Sequence, residues 1–308
     1  MNTLRTAVNT YVAMRRGLGY KLRDLEKRLT DFAFFMEQHG ATIVTSKLAV
    51  EWATSLPGRQ ASCTLRLSDV RGFARYLSSI EPRTEVPPTG LLPGLSRANP
   101  YLYTETEITK LLEAALQLSP PNGLRRWTYY CLFGLLAVSG LRISEALMLR
   151  REDVDLEESV LKVVSTKFGK SRLVPIHATT QQVLTDYASR RDSLLWPPRS
   201  PYFFVAKQGG RLLLQYVHRV FWKLSRQTGL RGSKDHTGPR IHDFRHRFAV
   251  ETLLSWYRAE KDSHLLLPVL STYLGHSNVR DTYWYLSACP ALLGQAVRRL
   301  ETRWGRQS

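Results

Sequence analysis

The sequence predicts a mainly α-helical protein in which an all-helical N-terminal domain precedes a mostly helical domain with a small antiparallel β-sheet. Apolar residues recur at helical spacing over most of the chain. Residues 83–103 are rich in proline and glycine, and apolar residues alternate between residues 160 and 176. At 308 residues, the chain is long enough for two domains with buried cores.

The N-terminal domain is predicted to span residues 1–82. One helix is expected between Arg23 and Gln38, because apolar residues recur there every three or four positions and Gly40 follows as a stop. A short helix is expected from Leu48 to Leu56, before Pro57 and Gly58. A third apolar stripe runs from Leu65 to Leu77.

The second domain is predicted to span residues 104–308, after a linker over residues 83–103. It opens with a helix, because Thr104 and Glu107 form a capping box. Strands are expected at residues 160–164, 172–176 and 202–206, the first two joined by a turn at residues 166–170. From Leu213 onward the pattern is mostly helical.

The net charge of +18 indicates a polyanionic partner, and nucleic acid is the favoured one. An anionic membrane surface is disfavoured, because the basic residues are spread along the chain and interleaved with aromatic residues. Arg66, Arg71 and Arg75 line the polar side of the third stripe. A solvated helix face and contact with a DNA backbone explain these arginines about equally well.

The three cysteines, Cys63, Cys131 and Cys289, are far apart and lack the spacing of metal ligands. Reduced thiols in a reducing compartment are therefore expected, which places the protein in the cytoplasm. No metal and no other cofactor is expected. The first twenty residues carry charges throughout and do not resemble a signal peptide.

Three segments of the second domain carry groups suited to phosphate chemistry. They are Ser139–Glu145, which contains Arg142; His242–His246, which contains Arg245; and Leu274–Tyr285, in which His276 precedes Tyr285 by nine residues. Arginine stays charged and donates two hydrogen bonds to phosphate oxygens, and a phenol oxygen can act as a nucleophile. Together these groups could hold a phosphodiester and attack it.

These segments, together with the turn at residues 166–170, resemble the tyrosine site-specific recombinases of the phage integrase family. The resemblance covers roughly the last two thirds of the chain. It implies that residues 1–82 form a SAM-like core-binding domain and that residues 104–308 form the catalytic domain with a C-terminal tail. It also implies an integrase that breaks and rejoins DNA through a 3′-phosphotyrosyl intermediate, possessed by a mobile element and serving integration, excision or transposition.

The resemblance also implies a role for each site residue. Arg142 and Arg245 would clamp the scissile phosphate, and His276 would donate a further hydrogen bond to it. His242 would contact the phosphate and assist proton transfer at the tyrosine. Tyr285 would be the nucleophile.

Two further residues take roles from the resemblance, and some assignments keep an alternative. Lys167 would protonate the departing 5′ oxygen, although Lys170 lies in the same turn and could reach the phosphate. Glu145 would orient the active-site cations. Lys170 and Arg172 are predicted DNA contacts. The family spacing selects Tyr285 as nucleophile over Tyr283. A structural role is expected for His246.

Double-stranded DNA is the predicted partner. A monomer or weak oligomer in solution is expected to form a tetramer on two DNA sites, with partner recombinases a further possibility. An apolar stripe after Tyr285 fits a helix packed on its own domain or on a neighbouring protomer. The competing functions are a non-catalytic, sequence-specific DNA-binding protein and a type IB topoisomerase-like enzyme.

Overall fold

A computed structural model describes residues 4–55, 60–93, 100–164, 171–232, 235, 238–288, 292–294, 297 and 301. The chain divides into two compact units, Met1–Ala98 and Asn99–Ser308. Both are predominantly helical, and the second holds a small antiparallel sheet. The predicted fold class is confirmed. None of the helices in the described ranges is both long and apolar enough to cross a membrane.

The first unit is a helical bundle around one apolar core. Its described helices are α1 (Leu4–Gly17), α2 (Arg23–Gln38), α3 (Ser46–Ser55) and α4 (Gln60–Leu77). Tyr11, Phe32, Trp52 and Phe73 are buried at the centre. The predicted helix bounds of α2 are confirmed. The apolar stripes therefore formed helices because each could bury its apolar face against the others.

The beginning of the proline-rich segment lies along this first unit. The Glu85 backbone N–H donates to the carbonyl of Val44 at 2.8 Å, and the Glu85 carboxylate accepts from the Ser46 N–H at 2.7 Å. The Arg71 guanidinium donates to the carbonyls of Pro87 and Pro88, at 2.7 and 2.9 Å. Proline-rich chain offers carbonyls without matching N–H donors, and Arg71 satisfies two of them.

The second unit packs its helices around α6, whose apolar residues are buried on nearly all sides. Its described helices are α5 (Glu105–Leu116), α6 (Leu124–Ser139), α7 (Ile143–Met148), α8 (Ala178–Leu194), α9 (Leu214–Gln227), α10 (Asp243–Arg258), α11 (Ser263–Leu274) and α12 (Arg280–Ala288). The capping box predicted at Thr104 and Glu107 is present at the start of α5.

The sheet of the second unit consists of β1 (Val154–Asp155), β2 (Val160–Val163) and β3 (Arg172–Pro175), in that order. Both pairings are antiparallel, and Leu161 of β2 lies opposite Val174 of β3. The two predicted strands that became β2 and β3 are confirmed. The hairpin turn at residues 165–170, which contains Lys167 and Lys170, lies outside the described residues.

The third strand predicted at residues 202–206 is wrong. Only isolated bridges occur there, from Tyr202 to Arg150 and from Val205 to Arg211, and β1 completes the described sheet instead. Phe203, Phe204 and Val205 are all buried. Because consecutive side chains are buried, the segment is an apolar connection through the core rather than an alternating edge strand.

The last three described helices form a second apolar cluster. Leu253 of α10, Leu267 of α11 and Tyr285 of α12 are buried together. Leu292 from the predicted tail stripe is buried in the same cluster, so this part of the tail packs on its own domain. Of the other apolar residues in that stripe, Val297 is described, whereas Ala291, Leu300 and Trp304 lie outside the described residues.

No residue larger than glycine fits at Gly140, between α6 and α7. Its φ is +61°, and a Cβ atom there would lie 2.5 Å from the Phe248 ring. Gly140→Ala is expected to destabilise the protein by about 2–4 kcal/mol, combining backbone strain with overpacking. Urea unfolding would measure this loss.

Gly134→Ala is the matched control for that substitution. Gly134 lies inside α6, where an added Cβ would come no closer than 3.9 Å to Leu112. It is expected to leave stability unchanged or to raise it by up to about 1 kcal/mol. Equal stability of the two alanine variants would contradict the proposed constraint at Gly140.

Candidate active site

The turn between α6 and α7 places Arg142 at the edge of the candidate site. Gly140 ends α6 in the left-handed conformation, and Arg142 then immediately precedes α7. The Arg142 guanidinium donates to Glu145 Oε1 at 2.8 Å and to the Gly275 carbonyl at 3.1 Å. Its side chain remains 24% exposed. Arg142 is therefore held in place by these hydrogen bonds while part of its side chain remains accessible to solvent.

Arg245 approaches the same turn from the first turn of α10. Its guanidinium is buried and donates to the carbonyls of Gly140 and Leu274, at 2.9 and 2.6 Å. Burial and the nearby Arg142 lower the pKa of Arg245 to about 10. Both guanidinium groups are thus directed at the chain around residues 274–275, and their mutual repulsion favours an anion between them.

Glu145 and Arg172 form a buried ion pair that holds Arg142 in position. Arg172 in β3 donates two hydrogen bonds to the Glu145 carboxylate, at 3.1 and 2.8 Å, and a third to the Tyr273 carbonyl at 2.6 Å. Burial alone would raise the pKa of Glu145, but the hydrogen bonds from Arg172 and Arg142 hold it below its usual value. Glu145 therefore stays ionised and joins α7, β3 and the end of α11.

His276 lies in the turn between α11 and α12. Gly275 has φ +68°, and a Cβ at that position would lie 2.8 Å from the Arg172 guanidinium. The His276 Nδ1 atom is 2.7 Å from the Thr282 hydroxyl, and Thr282 is fully buried. This hydrogen bond fixes the orientation of the imidazole ring, one residue after the Gly275 carbonyl that accepts from Arg142.

Tyr285 of α12 is directed into the site, and Tyr283 is directed away from it. Tyr285 is 2% exposed, whereas Tyr283 is 45% exposed. The Tyr285 ring packs near His276, with 6.3 Å between ring centroids. Its hydroxyl oxygen lies 3.3 Å from His246 Nδ1. Of the two tyrosines, Tyr285 is therefore the one that meets the other candidate residues.

His242 immediately precedes α10 and stands edge-on to His246, with 4.7 Å between ring centroids. Burial of much of the ring's surroundings and the positive charge of Arg245 lower the pKa of His242 to about 4. The residue is nevertheless exposed to solvent. His242 is consequently neutral at pH 7 and can donate one ring hydrogen bond without adding charge.

Apart from Arg172, the other predicted site residues lie away from this site or outside the described residues. Lys167 and Lys170 are not among the described residues. Arg172, a predicted DNA contact, has a side chain only 10% exposed and bonded to Glu145. In the first unit, Arg66 donates to the Ala53 carbonyl at 3.3 Å, Arg71 binds the proline segment, and Arg75 is exposed on α4.

Three participants in this geometry were given no site role by sequence reasoning: His246, Thr282 and, as a support for Glu145, Arg172. The spacing of His242 and His246 by four residues did place them on one helix face. Nothing local in the sequence signals the Thr282–His276 contact, which depends on the turn between two helices. Among the residues that the structure describes, no group of three or more potential metal ligands occurs.

The model of the phage integrase family matches residues 102–290 of this chain, which include every element of the site. The chain belongs to the phage integrase family. An integrase/recombinase of Sinorhizobium fredii, provisionally so named and designated y4rB, is 52% identical over 310 residues and the match covers 99% of each chain. Tyrosine recombinase XerD of Bradyrhizobium diazoefficiens is 28% identical, over 94% of this chain and 93% of the relative.

Solved structures of integrases and recombinases share the fold of this family member. The Tn1549 transposon integrase, solved in complex with transposon right end DNA, superimposes with a TM-score of 0.68 at 16% identity, covering 96% of this chain and 98% of that one. The XerH recombinase bound to a palindromic difH substrate gives 0.65 at 20% identity, covering 89% and 78%. The family assignment makes this chain a tyrosine recombinase that carries out site-specific recombination.

Proposed function

We propose that this recombinase cleaves and rejoins double-stranded DNA by transesterification, with Tyr285 as nucleophile and a 3′-phosphotyrosyl intermediate. The observation that supports this assignment is that four of the predicted site residues meet around the turn between α11 and α12. Arg142 and Arg245 both donate to the chain at residues 274–275. His276 and Tyr285 follow from that turn with their rings near each other.

The cations of this site are suited to a phosphodiester in the transition state. The two guanidinium groups donate to backbone carbonyls around the turn, and phosphate oxygens would compete for the same N–H groups. A charged oxygen is a stronger acceptor than a neutral carbonyl, so a bound phosphate is favoured there. Negative charge that grows during attack is then met by donors already in position.

The leaving group needs a proton, and we assign its donor to Lys167 on the family resemblance. Lys170, in the same turn, is the alternative. Transesterification conserves the phosphodiester bond energy in the phosphotyrosine, so rejoining requires neither a nucleotide nor a metal ion. His242 and His276 would contribute hydrogen bonds to the nonbridging oxygens. His242 lies within the electrostatic influence of Arg245 and Arg142, and His276 directly follows Gly275, whose carbonyl accepts from Arg142.

Helix α9 offers a further surface for DNA that sequence reasoning did not single out. Its apolar side is buried, and its exposed side carries His218, Arg219, Trp222 and Lys223. Arg226, on the same helix, lies 3.7 Å from the centroid of the Trp222 ring. Cations interleaved with aromatic rings bind phosphate backbones and stack on sugars or bases. We propose that α9 contacts DNA, together with Arg75 in the first unit.

Assembly on DNA extends the same proposal. A solved structure with the same fold is described as a λ integrase tetramer bound to a Holliday junction. We infer that this recombinase likewise acts as a tetramer on two sites and that its DNA belongs to a mobile element. The second inference is supported by the likeness to the Tn1549 transposon integrase. Action on DNA agrees with the reducing, cytoplasmic compartment that the cysteine spacing predicts.

Covalent capture on random DNA tests this function and identifies the target sequence at the same time. The protein is incubated with a library of randomised duplexes that carry a nick, so that cleavage releases a short strand and traps the intermediate. Covalent complexes are isolated, and the attached strands are sequenced. We expect a single consensus, attachment through the 3′ phosphate, and a 5′ hydroxyl that polynucleotide kinase labels directly.

Other outcomes of this capture would select the competing functions. Sequence-specific binding with no covalent complex would favour a non-catalytic DNA-binding protein. Relaxation of supercoiled plasmid lacking the consensus would favour a topoisomerase-like enzyme. Attachment through a 5′ phosphate would contradict the proposed chemistry altogether.

A further inference from the structure

We propose that His246 accepts the proton of the Tyr285 hydroxyl as that oxygen attacks DNA. The proposal rests on the proposed function, in which Tyr285 is the nucleophile. It assigns the proton to a histidine that the family pattern of His242, Arg245 and His276 leaves out. It therefore adds a sixth described side chain to the reacting centre.

The first support is contact with the reacting atom. His246 Nδ1 lies 3.3 Å from the Tyr285 hydroxyl oxygen, which is within hydrogen-bond reach. Both side chains are largely buried, at 5% and 2% exposure. In the tautomer that leaves Nδ1 unprotonated, the Tyr285 hydroxyl donates to it, and the buried contact keeps this acceptor beside the proton that must leave.

The second support is the fixed orientation of the His246 ring. On α10, His242 stands edge-on at 4.7 Å and Arg245 precedes His246 in the chain. On α12, the Trp284 ring lies at 5.3 Å and the Tyr285 ring at 5.5 Å. The His276 ring also lies near the Tyr285 ring, with 6.3 Å between centroids. Packing from both helices thus prevents the imidazole from turning away from the hydroxyl.

The third support comes from the other histidine of the same helix face. Desolvation and the charges of the nearby arginines, opposed by the neighbouring carboxylate of Asp243, lower the pKa of His242 to about 4, which makes it a weak proton acceptor. A neutral His242 is better suited to donating a hydrogen bond to a phosphate oxygen. The two histidines, one helical turn apart, then have different roles. His242 donates a hydrogen bond to the phosphate, and His246 accepts the proton of the phenol.

The proton balance of the step is complete within the proposed site. The Tyr285 O–H bond breaks as its oxygen bonds to phosphorus, and the proton passes to Nδ1 of a neutral His246. The bond from phosphorus to the 5′ oxygen breaks, and that oxygen takes a proton from the general acid. On rejoining, the 5′ hydroxyl passes its proton to the now deprotonated general acid as its oxygen bonds to phosphorus. The bond from phosphorus to Tyr285 then breaks, and protonated His246 returns its proton to the phenol oxygen.

Replacing Tyr285 with a more acidic tyrosine analogue tests whether His246 acts as a proton acceptor or only packs against the ring. His246→Asn keeps an oxygen acceptor near the position of Nδ1 but cannot take up a proton. Single-turnover cleavage of a nicked substrate is compared in wild type and His246→Asn, each with tyrosine or a polyfluorinated tyrosine at position 285. With tyrosine, cleavage by His246→Asn is expected to be about 10²-fold slower. With the fluorinated residue, already ionised at the assay pH, the difference should shrink below about tenfold.

His242→Asn is the matched control, since His242 lies on the same helix face and its contact is assigned to the phosphate. Its defect should persist with fluorinated tyrosine. Full-speed cleavage by His246→Asn would overturn the proposal, and so would a defect that fluorination leaves unchanged. Thermal unfolding and DNA binding of the variants exclude general damage as the cause.

The same experiment distinguishes failure of this proposal from failure of the proposed function. If wild type forms no covalent complex, or if Tyr285→Phe still forms one, the nucleophile assignment fails and the His246 assignment fails with it. If wild type cleaves through Tyr285 but His246→Asn is not rescued, the function stands and only the role of His246 is rejected.

Discussion

Tyr285→Phe is expected to reduce covalent attachment to DNA by at least about 10⁴-fold, because the substitution removes the attacking oxygen and leaves the ring in place. The hydroxyl also bonds His246, so its loss should lower the free energy of unfolding by about 1 kcal/mol. Specific DNA binding should remain. Gel analysis of covalent complexes on a nicked substrate measures the first effect, and urea unfolding measures the second.

Tyr283→Phe is the natural control, because it deletes the same atom two residues away on α12. Its side chain is 45% exposed, so the change should alter stability by no more than about 0.5 kcal/mol. Covalent attachment should be close to that of wild type. The assignment would be refuted if Tyr285→Phe kept its adduct and Tyr283→Phe lost it.

Spacing in the sequence predicted several of the helices, and it selected Tyr285 over Tyr283. Apolar periodicity predicted α2 to the residue, and the capping box predicted the start of α5. Both signals are local, since they depend on which face of a helix is apolar and on how the first turn is satisfied. The family spacing selected Tyr285, and the structure places it beside His276.

Features decided by distant contacts could not be predicted in the same way. Residues 202–206 have the composition of a strand, but Phe203 and Phe204 are both buried, so alternation does not apply. His246 had a structural role on sequence grounds. Its position against Tyr285 depends on how α12 packs on α10, which no local pattern encodes.

Arg172 is the clearest example of a residue whose role depends on contacts that are distant in the sequence. Its place in a basic hairpin favoured DNA contact, because a charged side chain on a short strand is ordinarily solvated. In the fold, β3 lies against α7 and the end of α11, and Glu145 accepts both ends of the guanidinium. The charge is thereby used internally, where it holds the carboxylate that in turn holds Arg142.

This internal pair leads to a large expected effect on stability. Glu145→Ala leaves the Arg172 guanidinium, only 10% exposed, without its counter-charge. Removing one partner of a buried ion pair costs about 3–5 kcal/mol. Because Arg142 also loses a partner, cleavage should slow even where the variant remains folded. Urea unfolding and single-turnover cleavage would measure the two effects.

Two further variants test whether the loss of a buried counter-charge causes the destabilisation of Glu145→Ala. Glu152→Ala breaks the exposed Arg150–Glu152 pair, whose side chains are 57% and 73% exposed, and should cost no more than about 0.5 kcal/mol. Glu145→Leu combined with Arg172→Met removes both buried charges and should recover much of the stability lost by Glu145→Ala, without recovering cleavage. Stability of Glu145→Ala equal to that of Glu152→Ala would contradict the account.

The pH dependence of stability follows from the same pair. The folded protein holds the pKa of Glu145 below its usual value, so the contribution of Glu145 is complete above the pKa of the unfolded chain, about 4.3. That contribution is lost as pH falls through the lower folded value, because protonation removes the counter-charge of Arg172. The stability difference between wild type and the double variant should therefore narrow or reverse in favour of the variant on acidification below about pH 4. A difference that stays constant from pH 7 to the acid limit would mean that Glu145 is not the ion that holds Arg172 and Arg142 in place.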